Sequence, residues 1–145
     1  PSWSGDNYGA GLSTAGGNII ISEPEGYYKV DVDLANSTMS LTAITRIGVI
    51  GDATVGGWGS DQPMTYNKTD RAWEINNIVL SNGSIKFRAN NGWDINWGGT
   101  VNKLTTDNGA NIAVTAGTYN IKFYAWADGK GKCEITPVAP AKRRK

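Results

Sequence analysis

Residues 72–91 read AWEINNIVLSNGSIKFRANN, and this stretch decides the fold class. Two runs rich in Ile, Val, Leu and Phe, 72–80 and 84–91, flank the tripeptide Ser81-Asn82-Gly83. Branched and aromatic side chains favour strands, and Asn-Gly supplies the positive φ angles that a tight reversal needs. The stretch therefore predicts a β-hairpin.

Strand alternation within this hairpin separates a core face from a polar face. It places Ile85, Phe87 and Ala89 on the core side and Lys86, Arg88 and Asn90 on the other. Register across the turn puts Trp73 on the core side as well, unless a bulge intervenes.

The same pattern extends in both directions along the chain. Short apolar runs alternate with turn residues, and no stretch shows sustained helical periodicity. Such spacing predicts an antiparallel β-sandwich. The predicted strands are 18–22, 26–34, 37–43, 46–51, 64–67, 72–80, 84–91, 111–115, 117–126 and 132–138.

The chain also nearly repeats itself. The segment 3–9, WSGDNYG, parallels 93–98, WDINWG, and Asn-Ile pairs and Gly-x-Tyr triplets follow each in the same order. Self-similarity of this kind is the signature of a tandem array. We therefore expect residues 1–43 to be the C-terminal fragment of a preceding β-sandwich repeat, 44–138 a complete module and 139–145 a basic tail.

Charge argues against a nucleic-acid partner. The net charge is +1, but four of the fourteen basic residues stand in the tail at 142–145. Without them ten bases face thirteen acids, whereas a nucleic-acid binder spreads positive charge over its folded surface. The tail itself is expected to be solvated.

Missing residue types exclude several chemistries. The chain has no histidine, which removes histidine-dependent acid–base catalysis and the usual zinc sites. Its one cysteine, Cys133, is expected to be a half-buried free thiol. The run Asp107-Asn108-Gly109 lacks the repeated ligand spacing of a calcium loop. No metal and no cofactor are expected, and no run is long and apolar enough to span a bilayer.

The remaining candidate functional residues are aromatic and amide side chains. Six Trp, six Tyr and fourteen Asn occur in 145 residues. Indole and phenol rings stack on the CH faces of sugars, and amides, lysines and arginines bond their hydroxyls, so this composition fits carbohydrate binding. Two segments, 56–61 and 86–99, combine these types. By pattern alone Trp73 and Trp93 are expected in the core, and Trp58 or Trp97 could face a ligand.

Six short motifs follow one another along residues 47–99. They are IGVIGDAT at 47–54, GW at 57–58, MTYN at 64–67, AW at 72–73, IKFRAN at 85–90 and WDINWGG at 93–99. This ordered set resembles the repeated modules of the SusE/SusF family, surface-exposed lipoproteins of starch-utilisation systems in Bacteroidetes. The resemblance spans residues 44–138, and the first 43 residues resemble the end of the preceding module.

The resemblance implies an Ig-like sandwich that holds starch or malto-oligosaccharide at the cell surface without cleaving it. Partners would be α-glucans and other outer-membrane components of glycan uptake, with membrane attachment only through a lipid anchor outside these 145 residues. In that family a carbohydrate site consists of an aromatic cradle and polar side chains that contact the sugar. The resemblance assigns the cradle to Trp73 and Trp97, with Trp58 as a further candidate, and the polar contacts to Lys86, Arg88 and Asn91.

The sequence is also compatible with other functions. The module could be a structural spacer or adhesion module without a glycan site, or it could bind a different polysaccharide. An enzyme is not expected, because glycoside hydrolysis needs a carboxylate pair across a cleft. The loop acids near the aromatic segments, Asp52, Asp61 and Asp94, are interpreted as turn residues.

Overall fold

The structure is a computed structural model, and it describes residues 9–126 and 129–139. Contacts divide the chain into two units, residues 1–45 and 46–145, so the division falls two residues after the predicted boundary. Trp3, Tyr8 and the basic residues at 142–145 lie outside the described ranges. In the described part of the chain, no helix has the length and apolar character needed to cross a membrane.

The described residues of the second unit, 46–126 and 129–139, form ten strands. They are β3 (Ile47–Ile50), β4 (Gln62–Pro63), β5 (Thr65–Asn67), β6 (Ala72–Leu80), β7 (Gly83–Ala89), β8 (Asn96–Thr100), β9 (Lys103–Thr105), β10 (Ile112–Val114), β11 (Gly117–Tyr124) and β12 (Lys132–Pro137). One sheet has the order β4-β3-β7-β8-β9, and its sixth strand, β10, also pairs with β7, next to β8. The other has the order β12-β11-β6-β5. Every pairing is antiparallel, so the predicted all-β architecture is confirmed.

The core lies between the two sheets. Phe87 of β7 stacks on Phe123 of β11 with ring centroids 4.4 Å apart and planes within 2°. Trp97 of β8 meets Phe123 edge-on at 5.0 Å. Because these rings come from opposite sheets, they join the two layers, and Ile85 and Ala89 are buried on the same face of β7 as predicted.

The predicted hairpin at Ser81-Asn82-Gly83 is wrong. β6 and β7 pair with different neighbours and belong to different sheets, so the tripeptide crosses from one layer to the other. Asn82 uses its side chain instead, because its Oδ1 accepts a hydrogen bond from the Ala116 N–H at 2.8 Å. A Cβ at Gly83 would lie 2.7 Å from Oδ1 of Asp52, which accepts from the Ser84 N–H. Asn82 and Gly83 therefore do not form a tight turn. Asn82 bonds Ala116, and Gly83 leaves room for Asp52.

Other strand predictions differ locally from the structure. Residues 18–22 form no strand, and the strands β4, β8 and β9 were not predicted. β8 contains Gly98 and Gly99, which weaken its strand pattern. A bulge does occur in β6, where the pairing with β11 shifts between Tyr119 and Ile121. It lies between Trp73 and the connection at 81–83 and changes the alternation along β6. Trp73 therefore shares the core face with Ile78 and Leu80.

The first unit contains a 3-10 helix (Ala10–Leu12) and a hairpin of β1 (Tyr28–Asp33) and β2 (Thr38–Ala43). This hairpin and the hairpin of β11 and β12 each contain a tyrosine whose hydroxyl bonds the backbone four residues earlier. The Tyr28 hydroxyl donates to the carbonyl of Pro24, four residues earlier, at 2.8 Å, and the Tyr119 hydroxyl donates to the carbonyl of Thr115 at 3.0 Å. The sequence repeat therefore has a structural counterpart at these two tyrosines.

Burial distinguishes the two hairpins. Val30 and Val32 are 56% and 54% exposed, whereas the corresponding Ile121 and Phe123 of the second unit are at most 1% exposed. In the second unit those side chains are covered by the facing sheet. Among the described residues of the first unit, the hairpin has no such sheet.

Cys133 is fully buried rather than half-buried, since its exposed fraction is 3%. Burial, together with the charge of Glu134, raises the pKa of its thiol to about 12. We expect Ellman's reagent to leave the native protein unmodified at pH 8, because roughly one thiol in ten thousand would be ionised there. The guanidinium-unfolded chain should react with one equivalent at once. Rapid reaction of the native chain would contradict the burial of Cys133.

Candidate functional site

The candidate site lies on the outer face of the sheet, over β3 and β7. Gly48 of β3 pairs with Arg88 of β7. A Cβ at Gly48 would lie 2.6 Å from Cβ of Asp61, so no larger residue fits at this point. The glycine thus allows the loop before β4 to lie flat on the sheet and brings Asp61 to Arg88.

Arg88 and Asp61 form a buried ion pair. Nε of Arg88 donates to Oδ1 of Asp61 at 2.7 Å, and Nη2 contacts the same oxygen. Their side chains are only 9% and 4% exposed. A charged pair is held away from water only when its partners are well placed, so this contact fixes the guanidinium on the sheet. Asp61 is therefore more than the turn residue that the sequence indicated.

A tight reversal after β7 presents Trp93. Asn90 and Asn91 have φ angles of 54° and 55°, and the Gly92 N–H donates to the Ala89 carbonyl at 3.1 Å. Consecutive left-handed residues define a turn type in which asparagine is common. The reversal leaves Trp93 at the tip of the β7–β8 connection, 46% exposed.

Trp93 and Trp58 form an exposed aromatic pair. Their ring centroids are 6.1 Å apart and their planes are tilted by 41°. Trp58, in the loop after β3, is 36% exposed. The guanidinium carbon of Arg88 lies 5.0 Å from the centroid of Trp93, a cation–π contact that steadies this ring. The pair forms an angled, solvent-facing platform of two indoles.

Two further predicted site residues lie on the same side of the sheet. Asn91 is exposed beside the platform, and its Oδ1 accepts a hydrogen bond from Nη1 of Arg46 at 3.0 Å. Lys86 shares the outer face of β7 with Arg88, and partial burial lowers the pKa of its ammonium group. Lys86 stands at the middle of β7, two residues further from Trp93 along the chain than Arg88.

The prediction that Trp73 and Trp97 form the aromatic cradle needs correction, because each is only 5% exposed. Trp73 pairs in register with Phe123 of β11, and Trp97 pairs with Phe87 of β7. Both partners are core residues, so both indoles point between the sheets. The expectation that Trp93 belongs to the core is also wrong, because the Asn90-Asn91 reversal carries it outward.

A second aromatic cluster lies on the other sheet, where β11 meets β12. Tyr124 and Trp126 have ring centroids 5.0 Å apart, and Trp126 is 49% exposed. The Lys132 ammonium lies 4.8 Å from the Tyr124 centroid and 5.4 Å from that of Trp126. Tyr124 is half-buried, so this cluster offers one exposed aromatic ring where the Trp58–Trp93 pair offers two.

Two signals in the sequence could have located the platform. Asn90-Asn91-Gly92 is a turn signal that breaks strand alternation before Trp93. Glycines on both sides of Trp58 mark a loop in which a core role is not required. The partnership of Asp61 with Arg88, 27 residues apart, carries no local signal.

Comparison of the chain with protein-family models, with curated proteins and with solved structures finds no match.

Proposed function

We propose that the second unit is a non-catalytic carbohydrate-binding module that holds an α-glucan on Trp58 and Trp93. The observation that carries the proposal is the exposed, tilted indole pair, with its centroids 6.1 Å apart and planes 41° from parallel. Exposed indoles cost solvation free energy unless a ligand covers them. The CH faces of pyranose rings are suitable cover.

The tilt favours a coiled glucan over a flat one. A flat, ribbon-like β-linked chain would stack best on coplanar rings. An α-linked chain curves, so successive sugar rings are inclined to each other and fit an angled platform. Starch and malto-oligosaccharides are therefore the ligands that this geometry supports best.

Polar groups at the edge of the platform suit the hydroxyl rims of such a chain. Arg88 contacts Trp93, Asn91 stands in the turn before Trp93, and Arg46 is hydrogen-bonded to Asn91. Amide and guanidinium N–H groups donate to sugar oxygens. The ion pair with Asp61 and the contact with Trp93 hold Arg88 in place before a ligand arrives, which reduces the ordering cost of binding.

The sequence resemblance to the SusE/SusF family supports the same ligand class. It also extends the proposal to location: a surface-exposed protein of a bacterial outer membrane, held by a lipid anchor and working with other components of glycan uptake. The same resemblance leads us to propose that the sandwich has an Ig-like topology. Tandem repetition fits such a role, because weak sites in series retain a polymer through effective concentration.

Affinity electrophoresis of the native protein tests this function. We expect migration to be retarded in gels containing amylopectin and unchanged in gels containing xyloglucan or mannan, because only the first presents a curved α-glucan. Bovine serum albumin in each gel controls for sieving. Retardation by mannan or xyloglucan alone would assign another polysaccharide, and unchanged mobility in all three would favour a spacer module.

A further inference from the structure

A small polar cavity lies on β3 and is linked to the Trp58–Trp93 platform through Asp61, whose partner Arg88 contacts Trp93. Its volume is about 130 Å³, and it is lined by Arg46, Ile47, Gly48, Asp61, Pro63 and Asn91. At about 30 Å³ for each water, that is space for roughly four waters. Such a volume suits the edge substituents of a sugar better than a complete pyranose ring.

One wall of the cavity carries a buried acceptor whose second oxygen is unsatisfied. Oδ1 of Asp61 takes both contacts from Arg88, whereas Oδ2, also buried, accepts no hydrogen bond from any residue in 9–126 or 129–139. The side chain is 4% exposed. A Cβ at Gly48, which also lines the cavity, would lie 3.0 Å from this oxygen. A buried carboxylate oxygen of this kind is costly unless a ligand or solvent supplies a donor.

Two other residues that line the cavity, Arg46 and Asn91, carry donors. Nη1 of Arg46 donates to Oδ1 of Asn91 at 3.0 Å, so the amide group of Asn91 keeps its Nδ2 hydrogens for other acceptors. The cavity therefore combines a carboxylate acceptor with amide and guanidinium donors. Asp61 disfavours an anion and Arg46 disfavours a cation, whereas a neutral hydroxyl both donates and accepts.

We propose that this cavity is a hydroxyl-recognition pocket for the glycan on the platform. An edge hydroxyl or hydroxymethyl of a sugar stacked on Trp93 donates to Oδ2 of Asp61 and accepts from the amide of Asn91. The inference rests on the proposed function, because the stacked ring is what brings the hydroxyl to the pocket. It adds a source of selectivity that flat stacking lacks, since indoles do not distinguish a hydroxyl from an ether.

The test compares β-cyclodextrin with its fully O-methylated derivative, which keeps a ring of α-linked glucose units and has no hydroxyl donors. Calorimetric titration of the native protein should give at least tenfold weaker binding of the methylated ring. Asp61→Asn keeps the shape of the side chain and one carbonyl acceptor for Arg88, and it removes the charged acceptor. This variant should bind β-cyclodextrin at least tenfold more weakly than the native protein and discriminate between the two rings less than threefold.

Asn91→Gly is the second variant, because it leaves the Asp61–Arg88 pair intact and glycine tolerates the φ angle of 55° at this position. It removes the exposed amide donor together with the acceptor of the Arg46 hydrogen bond. It should also reduce the ratio of the affinity for β-cyclodextrin to that for its methylated derivative. Its melting temperature should be close to that of the native protein. Full retention of the preference in both variants, or equal binding of both rings by the native protein, would overturn the pocket and leave the platform in place. Failure of the native protein to bind either ring or amylopectin would reject the proposed function, and the pocket with it.

Discussion

Trp93→Ala is expected to weaken binding of maltoheptaose by about 30-fold or more. Truncation of a central tryptophan in a binding site typically costs about 2 kcal/mol, and each 1.4 kcal/mol is a factor of ten in affinity. The ring is 46% exposed and lies at 5.0 Å from the Arg88 guanidinium, so its loss removes a stacking surface and one contact of the arginine. Isothermal titration calorimetry measures the change directly.

Trp126→Ala provides a matched control for this variant. It removes an indole of similar exposure, 49%, from the cluster on the other sheet, where Lys132 already lies over the ring. Its affinity for maltoheptaose should equal that of the native protein. The reverse pattern, with Trp126→Ala impaired and Trp93→Ala unchanged, would move the binding site to β11 and β12.

Trp97→Ala is expected to lower the free energy of unfolding by about 3–5 kcal/mol, as is usual for truncating a large core aromatic. Trp97 is 5% exposed and contacts Phe123 across the sheets at 5.0 Å, so its removal opens a cavity in the core. Domains of this size have about 5–15 kcal/mol of stability in total, so the variant loses a large share of it. Urea denaturation followed by circular dichroism measures the effect.

Trp97→Phe is the conservative comparison, since it keeps an aromatic ring between the sheets. It should retain most of the stability and all of the glucan binding. If Trp97→Ala kept the native urea midpoint and yet lost glucan binding, Trp97 would be a ligand contact and its burial would be wrong.

The fold class could be predicted because it depends on local patterns. Alternation along residues 84–91 identified the inward face of β7, and the predicted limits of β6 coincide with its observed ends. The connection between these strands could not be predicted. Asn82-Gly83 is a strong local turn signal, but the use made of it depends on Ala116 and Asp52, which are distant in sequence.

The position of the candidate site could be predicted only in part. Trp58, Arg88 and Asn91 were expected and do lie together. The choice among Trp73, Trp93 and Trp97 depended on strand register, and β8, which turns Trp97 towards Phe87, was not recognised as a strand. Likewise, the role of Asp61 depends on a contact across β3 that only Gly48 permits.

The most direct test is to observe the six indole N–H signals by ¹⁵N-resolved NMR during a titration with maltoheptaose, each signal assigned by a Trp→Phe variant. A stacked sugar shifts the indole that it covers. We expect the signals of Trp58 and Trp93 to move together and saturate at one dissociation constant, while those of Trp73 and Trp97 stay in place within the core. Stationary Trp58 and Trp93 signals at saturating maltoheptaose would contradict the platform.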